Sequence, residues 1–120
     1  MAYQIRITPS ILNADFTKLG SEIERISATS DLVHLDVMDN VFVPNFTFDF
    51  NKASEIIAIS KLPVDAHLMV ADVDLIAPKY AETGCVSVTI HAEATLDIRG
   101  TLKAIRSNGA RASLALKPKT

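Results

Sequence analysis

The sequence alternates short apolar runs with longer amphipathic segments, and this alternation limits the fold more than any other feature. The apolar runs have the length of strands and lie at residues 5–7, 31–38, 64–69, 86–90 and 112–116. Between them, apolar residues recur every three or four positions, which is the period of an amphipathic helix. Strands that alternate with helices pair in parallel through crossover connections, so the pattern predicts an α/β fold.

The helices are predicted from their apolar stripes and their stop signals. The first follows the candidate caps Asn13 and Asp15 and carries a stripe of Phe16, Leu19, Ile23 and Ile26. The second spans about residues 50–60, the third runs from a cap at Asp72 or Asp74 to Glu82, and the fourth spans about residues 96–107. The last two end before glycines, Gly84 and Gly109. Pro78 falls within the third of these four helices, where we expect it to fit only near the helix start.

Two architectures agree with this order of elements. An open doubly wound sheet needs no more than five strands, whereas a closed (β/α)₈ barrel typically needs about 250 residues. The sequence contains neither GxGxxG nor GxxxxGK[ST], the usual nucleotide-binding motifs of doubly wound sheets. Periodicity alone leaves both architectures open.

Composition excludes several classes of function. With 120 residues, 48% hydrophobic content and a net charge of −2, the chain can form a core and has no excess of positive charge for nucleic acid. It has neither a secretion signal nor an apolar segment long enough for a membrane span. A single cysteine, Cys85, forms no intramolecular disulfide. We therefore expect a cytoplasmic protein that binds neither nucleic acid nor membrane.

Polar residues stand on one face of each of two neighbouring strands. Side chains alternate along a strand, so His34, Asp36 and Met38 share one face, and Asp65, His67 and Met69 share a face of the next strand. Buried polar groups without partners are costly. If the two faces meet, two imidazoles and a carboxylate suit a divalent cation. On spacing alone, hydrogen-bonded structural roles for these residues stay open.

Five motifs along the chain resemble those of ribulose-phosphate 3-epimerases, in order and at suitable spacing. They are residues 9–16 (PSILNADF), 34–44 (HLDVMDNVFVP), 65–69 (DAHLM), 88–93 (VTIHAE) and 114–118 (LALKP). The resemblance implies a TIM (β/α)₈ barrel, of which residues 1–120 would be the N-terminal part of a single domain. That part would hold about four βα units and a fifth strand.

The resemblance also implies roles for particular residues. His34, Asp36 and His67 would bind one divalent metal ion (Zn, Fe, Mn or Co), and Asp36 would be one of two acid/base carboxylates that exchange the proton at C3. Ser10, His67 and Met38 would contact the sugar-phosphate substrate, and Met69 would line the same site. The reaction would convert D-ribulose 5-phosphate to D-xylulose 5-phosphate in the pentose phosphate pathway. A cation beside the C2 and C3 oxygens would stabilise the enediolate.

Some features depart from the family pattern. Asn40 and Asp49 stand where Gly is usual, and Lys117 replaces a frequent Asn. The second acid/base Asp and the glycine-rich phosphate loops would lie beyond residue 120. We therefore expect a fragment of a longer product that is inactive alone, with exposed sheet edges that favour a homo-oligomer.

Two alternatives remain open at this stage. A hexulose-6-phosphate 3-epimerase would share the same first-half residues. A noncatalytic half-barrel that binds metal or self-associates would need no second carboxylate. Apart from the proposed metal ligands, His91 is expected to be a hydrogen-bonded rim residue and Asp39 a loop or cap residue.

Overall fold

The computed structural model describes residues 4–120. Helices and strands alternate through this part of the chain, so the predicted α/β alternation is confirmed. In chain order the elements are α1 (Leu19–Ile26), β1 (Val33–Met38), α2 (Phe50–Ile59), β2 (Val64–Met69), α3 (Val73–Glu82), β3 (Ser87–His91), α4 (Ile98–Ser107) and β4 (Arg111–Ala115).

The four strands form one parallel sheet in the order β1-β2-β3-β4. Crossovers between parallel strands are right-handed, so a sequential strand order places α2, α3 and α4 on the same face of the sheet. In a doubly wound sheet the strand order reverses and helices cover both faces. The sheet is therefore wound in one direction, as in part of a (β/α)₈ barrel.

The hydrophobic core lies between the sheet and its helices. Val33, Leu35 and Val37 of β1 are at most 3% exposed and belong to one cluster with helix residues such as Ile23 and Ile56. The alternate residues of β1 point to the other face and, apart from the buried Asp36, are only partly buried. Alternation along the strands thus separates an apolar helix-facing side from a polar open side.

The prediction of a first strand at residues 5–7 is wrong, because the structure has no strand there. The segment runs beside β1 and forms only a partial ladder: the Ile7 carbonyl accepts from the Asp31 and Leu32 amides, and the Pro9 carbonyl accepts from the His34 amide. Only Ser10 forms a β-bridge, with His34. Pro9 has no N–H to donate, which interrupts a continuous ladder at this edge. The described residues therefore contain four strands rather than the predicted five.

Pro78 lies deeper in its helix than predicted. It is the sixth residue of α3, so the carbonyl of Asp74 lacks the usual bond from the fourth residue after it. The helix persists because Val73, Ala77 and Tyr80 bury one face of it in the core. Tertiary packing here outweighs local helix propensity.

The helices of the described region have eight to ten residues each. None of these helices combines the length and the apolar character that a membrane crossing requires.

Candidate metal centre

Three side chains from two adjacent strands meet on the open face of the sheet. His34 Nε2 lies 3.1 Å from Asp36 Oδ1 and 3.3 Å from His67 Nδ1. The third side of this triangle, from His67 Nδ1 to Asp36 Oδ1, measures 3.2 Å. The three side chains are 26%, 12% and 20% exposed, so the centre is sheltered but open to a ligand.

The strand register brings these residues together. In the parallel pairing of β1 with β2, Asp36 stands opposite His67 and His34 stands opposite Asp65. Residues two apart on a strand share a face, and residues opposite each other in the register lie on the same face of the sheet. All four side chains therefore point away from the helix-covered face. A register shift by one residue would turn one strand's polar set into the apolar core.

His34 is held from behind by a carboxylate. Its Nδ1 lies 2.9 Å from Asp65 Oδ2, and the Ser87 hydroxyl of β3 donates to the other oxygen of Asp65. A carboxylate only accepts, so His34 Nδ1 carries the proton and donates it to Asp65. Nε2 is then the nitrogen that His34 presents to the centre.

His67 is held from behind by a second imidazole. Its Nε2 lies 2.8 Å from Nε2 of His91 at the end of β3, and His91 Nδ1 lies 3.3 Å from Glu93 Oε1. Glu93 is fixed in turn by the Lys117 amide and the Thr120 hydroxyl, both of which donate to Oε2. These hydrogen bonds lower the pKa of Glu93 to about 2.

Ser10 and Met38 lie at two different parts of the same open face. The Ser10 hydroxyl donates to Asp36 Oδ2 over 2.5 Å, so the two oxygens of Asp36 have different partners. Met38 follows Asp36 by two residues, stands opposite Met69 in the register, and borders a cleft shared with Leu12 and Asn45. The predicted residues Ser10, His34, Asp36 and His67 are therefore in direct contact, while Met38 extends the face beyond them.

The electrostatics of the centre favour positive charge. Burial raises the pKa of Asp36, but the hydrogen bonds that His34 and Ser10 donate to it outweigh burial and lower that pKa well below its ordinary value. Hydrogen bonds with Asp36 and Asp65 raise the pKa of His34 to about 9 despite its burial. Without a cation, a proton on His34 supplies the positive charge that this cluster attracts, and a metal ion would compete with that proton.

The donor set fits a borderline divalent metal. One ligand atom from each of His34, Asp36 and His67 can be chosen so that all lie within 4.8 Å of one another. Metal–nitrogen distances near 2.0–2.1 Å place tetrahedral ligands about 3.3–3.4 Å apart, close to the observed triangle. Three protein ligands leave further coordination positions open. A metal-binding histidine typically donates its second ring N–H to a hydrogen-bond acceptor. Asp65 is within hydrogen-bond distance of His34 for this role, and His91 is within that distance of His67.

Sequence reasoning missed part of this arrangement. Asp65 shares a face with His67, which is the signal that could have assigned it to His34. His91 was predicted to be a hydrogen-bonded rim residue, and its bonds to His67 and Glu93 confirm this, but its partner was not predicted. Asp39 is the loop residue that was expected, since its carboxylate accepts from the amides of Val41, Phe42 and Ala71.

Comparison with known proteins places the sequence of this chain in a family. The model of the ribulose-phosphate 3 epimerase family matches residues 6–120. A ribulose-phosphate 3-epimerase of Mycobacterium tuberculosis (strain H37Rv) is 44% identical over 114 residues, which cover 95% of this chain and 49% of that protein. That of Buchnera aphidicola is 45% identical over 116 residues, covering 95% and 51%.

A more distant relative gives the same picture. The ribulose-phosphate 3-epimerase of Bacillus subtilis (strain 168) is 38% identical over 117 residues, which cover 97% of this chain and 54% of that protein. The chain thus spans about half the length of the curated relatives it matches.

Proposed function

Because this chain belongs to the ribulose-phosphate 3 epimerase family, we propose that it supplies the metal-binding half of an active site that epimerises a ketose phosphate at C3. The substrate would be D-ribulose 5-phosphate and the product D-xylulose 5-phosphate. The observation that supports this most directly is the triangle of His34 Nε2, Asp36 Oδ1 and His67 Nδ1, with sides of 3.1–3.3 Å.

The family has the TIM-barrel fold, and the one-directional parallel sheet is a part of such a barrel. We propose that residues 1–120 are the N-terminal part of that single domain. The open face that holds the polar centre would then be the interior of the barrel, which is where barrel side chains that do not face the helices point.

The proposed metal ligands are His34, Asp36 and His67, and the ion is divalent. A bound cation would stabilise negative charge that develops on the substrate's C2 and C3 oxygens. Zn, Fe, Mn and Co all accept two imidazole nitrogens and one carboxylate oxygen as ligands.

Asp36 is the proposed acid/base residue for the C3 proton. Its Oδ1 faces the two imidazoles, and its Oδ2 accepts from Ser10. Its lowered pKa keeps the carboxylate ionised, as a base must be before it accepts a proton. Ser10 would break its hydrogen bond to Asp36, or bind the substrate, as the proton moves. Met38 would form an apolar surface beside the planar reacting carbons.

Inversion at C3 needs an acid on the face opposite the base. We propose that the second carboxylate and the phosphate-binding loops come from sequence outside these 120 residues, since the curated relatives are about twice as long. The 120-residue chain alone would therefore bind a metal but show little or no turnover. It would work in the cytoplasm and as part of a homo-oligomer.

Completion of the barrel tests this proposal. The chain is joined to the part of the Mycobacterium tuberculosis relative that it does not match, and epimerisation of D-ribulose 5-phosphate is measured with added divalent metal. We expect turnover from the joined protein and little from the chain alone. A D-hexulose 6-phosphate assayed in parallel separates the alternative epimerase from the pentulose enzyme.

The matched variants are Asp36→Asn and Asp72→Asn. Asp36→Asn removes the base and a charged ligand, so we expect at least about a hundredfold loss of turnover and weaker metal binding. Asp72 makes no side-chain cap bond at the start of α3, so its amide variant should match the parent. A folded joined protein without turnover on either sugar would favour the noncatalytic half-barrel instead.

A further inference from the structure

We infer that Glu93 and His91 form a positioning relay that sets the tautomer of His67 and aims its Nδ1 lone pair at the metal centre. The inference rests on the proposed metal centre and deepens it. Neither residue is one of the proposed metal ligands or substrate contacts. Both act through His67, whose Nε2 lies 2.8 Å from His91 Nε2.

The direction of the relay follows from the chemistry of its last member. Glu93 as a carboxylate accepts and cannot donate, so the His91 nitrogen that faces it, Nδ1, must carry the proton. A neutral imidazole with its proton on Nδ1 has a bare Nε2, which can only accept. His67 must then donate from Nε2, and its Nδ1 is left with a lone pair directed at His34 and Asp36.

The ring geometry supports a hydrogen bond between the two imidazoles. Their planes differ by 22° and their centroids are 4.9 Å apart, whereas the two Nε2 atoms are only 2.8 Å apart. The rings therefore meet edge to edge and nearly in one plane, as an N–H···N bond requires, and do not stack face to face. The His91 side chain is 12% exposed, so little water competes for its nitrogens.

The Glu93 end of the relay is anchored independently of His91. The Lys117 amide donates to Glu93 Oε2 over 2.9 Å, and Oε1 remains for His91. The Glu93 side chain is 19% exposed, although its backbone is open to solvent. His34 is set in the same way from its own side by Asp65, so carboxylates orient both proposed ligand imidazoles.

Nitrogen-15 NMR of the imidazoles tests the relay in the Zn²⁺-bound chain. The sequence has three histidines, and all belong to this cluster, so every imidazole signal is informative. We expect His34 and His91 to carry their protons on Nδ1 and His67 to carry its proton on Nε2. A proton on Nε2 of His91 would overturn the inference, because His67 would then lack an acceptor.

Zn²⁺ affinity gives a second readout through three variants and a control. His91→Leu removes the acceptor and should weaken Zn²⁺ binding about 10–100-fold, whereas the amide oxygen of His91→Gln can still accept and should restore much of the affinity. Glu93→Gln can donate to His91 Nδ1, so we expect weaker binding and a mixture of His91 tautomers. The control, Glu82→Gln, alters an exposed carboxylate at the end of α3.

The outcomes separate this inference from the proposed function. Circular dichroism confirms that each variant is folded before its affinity is compared. If folded His91→Leu binds Zn²⁺ as tightly as the parent chain, the relay is wrong while the metal centre stands. If the parent chain itself binds no Zn²⁺, the metal centre is wrong and the relay is overturned with it.

Discussion

At the scale of single residues, two histidines point different ring nitrogens at the proposed metal centre. His34 presents Nε2 because Asp65 holds its Nδ1, and His67 presents Nδ1 because His91 holds its Nε2. The sequence places His34 and Asp36 on one face of their strand and His67 on a face of the next, since side chains alternate along a strand. The choice of nitrogen depends on a neighbour in another strand, and no single-strand pattern contains it.

Asn40 has a backbone conformation that few residue types adopt without strain. Its φ is +60°, in the left-handed region, which non-glycine residues enter at a cost of about 1–2 kcal/mol and Asn enters more readily. The family resemblance expects Gly here. We expect Asn40→Gly to change the free energy of unfolding by less than about 0.5 kcal/mol and Asn40→Ala to lower it by about 1 kcal/mol. Urea titration followed by circular dichroism measures both values.

The same two substitutions at Asn51 provide the control. Asn51 is exposed in the first turn of α2, where the backbone is helical and Ala is preferred to Gly. The order of stability should therefore reverse between the two positions. The left-handed explanation fails if Ala is also the better residue at position 40.

At the scale of elements, a predicted strand was confirmed where the segment had a neighbouring strand with a continuous hydrogen-bond ladder. The strand predicted at residues 64–69 matches β2, which pairs on both sides. Residues 5–7 have the composition of a strand but only a partial ladder beside β1. Local apolar content signals burial, whereas strand formation also requires a partner with matching N–H and C=O groups.

Asp74 connects two helices that the sequence pattern treats as independent. It lies in the first turn of α3 and accepts hydrogen bonds from both Thr95 and Thr101 and from the Leu96 amide, which tie α3 to the start of α4. We expect Asp74→Ala to lower the free energy of unfolding by about 1–3 kcal/mol, because it leaves these donors without their acceptor. Asp72→Ala, two residues earlier and without a cap bond, should cost far less.

The contribution of Asp74 should also depend on pH. Burial raises its pKa, but the hydrogen bonds from Thr101 and Thr95 outweigh this and lower the pKa below its ordinary value. A carboxyl whose folded pKa is lowered stabilises the protein fully above its unfolded pKa and loses that effect as pH falls through the folded value. The gap between the parent chain and Asp74→Ala should narrow in acid, and a constant gap would contradict the charged-acceptor explanation.

At the scale of the whole molecule, helices cover one face of the sheet, while the edges at both of its ends lack a fully paired neighbouring strand. Among the described residues, β4 pairs with β3 on one side only, and the segment before β1 forms only a partial ladder. Both margins carry exposed apolar side chains, including Ile5 at 87%, Ile7 at 55% and Leu116 at 61%. The proposed second half of the barrel would cover these margins. The hydrophobic pattern of the sequence predicts the strands themselves but not which segments pair with the edge strands.

We therefore expect the isolated chain to self-associate through the β4 margin. An exposed strand edge with apolar side chains offers unpaired N–H and C=O groups to another chain, and lysines on such an edge oppose pairing. The double variant Leu114→Lys with Leu116→Lys should shift sedimentation-velocity profiles toward monomer. The control Leu96→Lys alters a leucine that is 99% exposed but lies in the loop before α4. If that control disperses the chain equally well, general hydrophobicity rather than the sheet edge drives association; a parent chain that stays monomeric would show that this margin needs no cover.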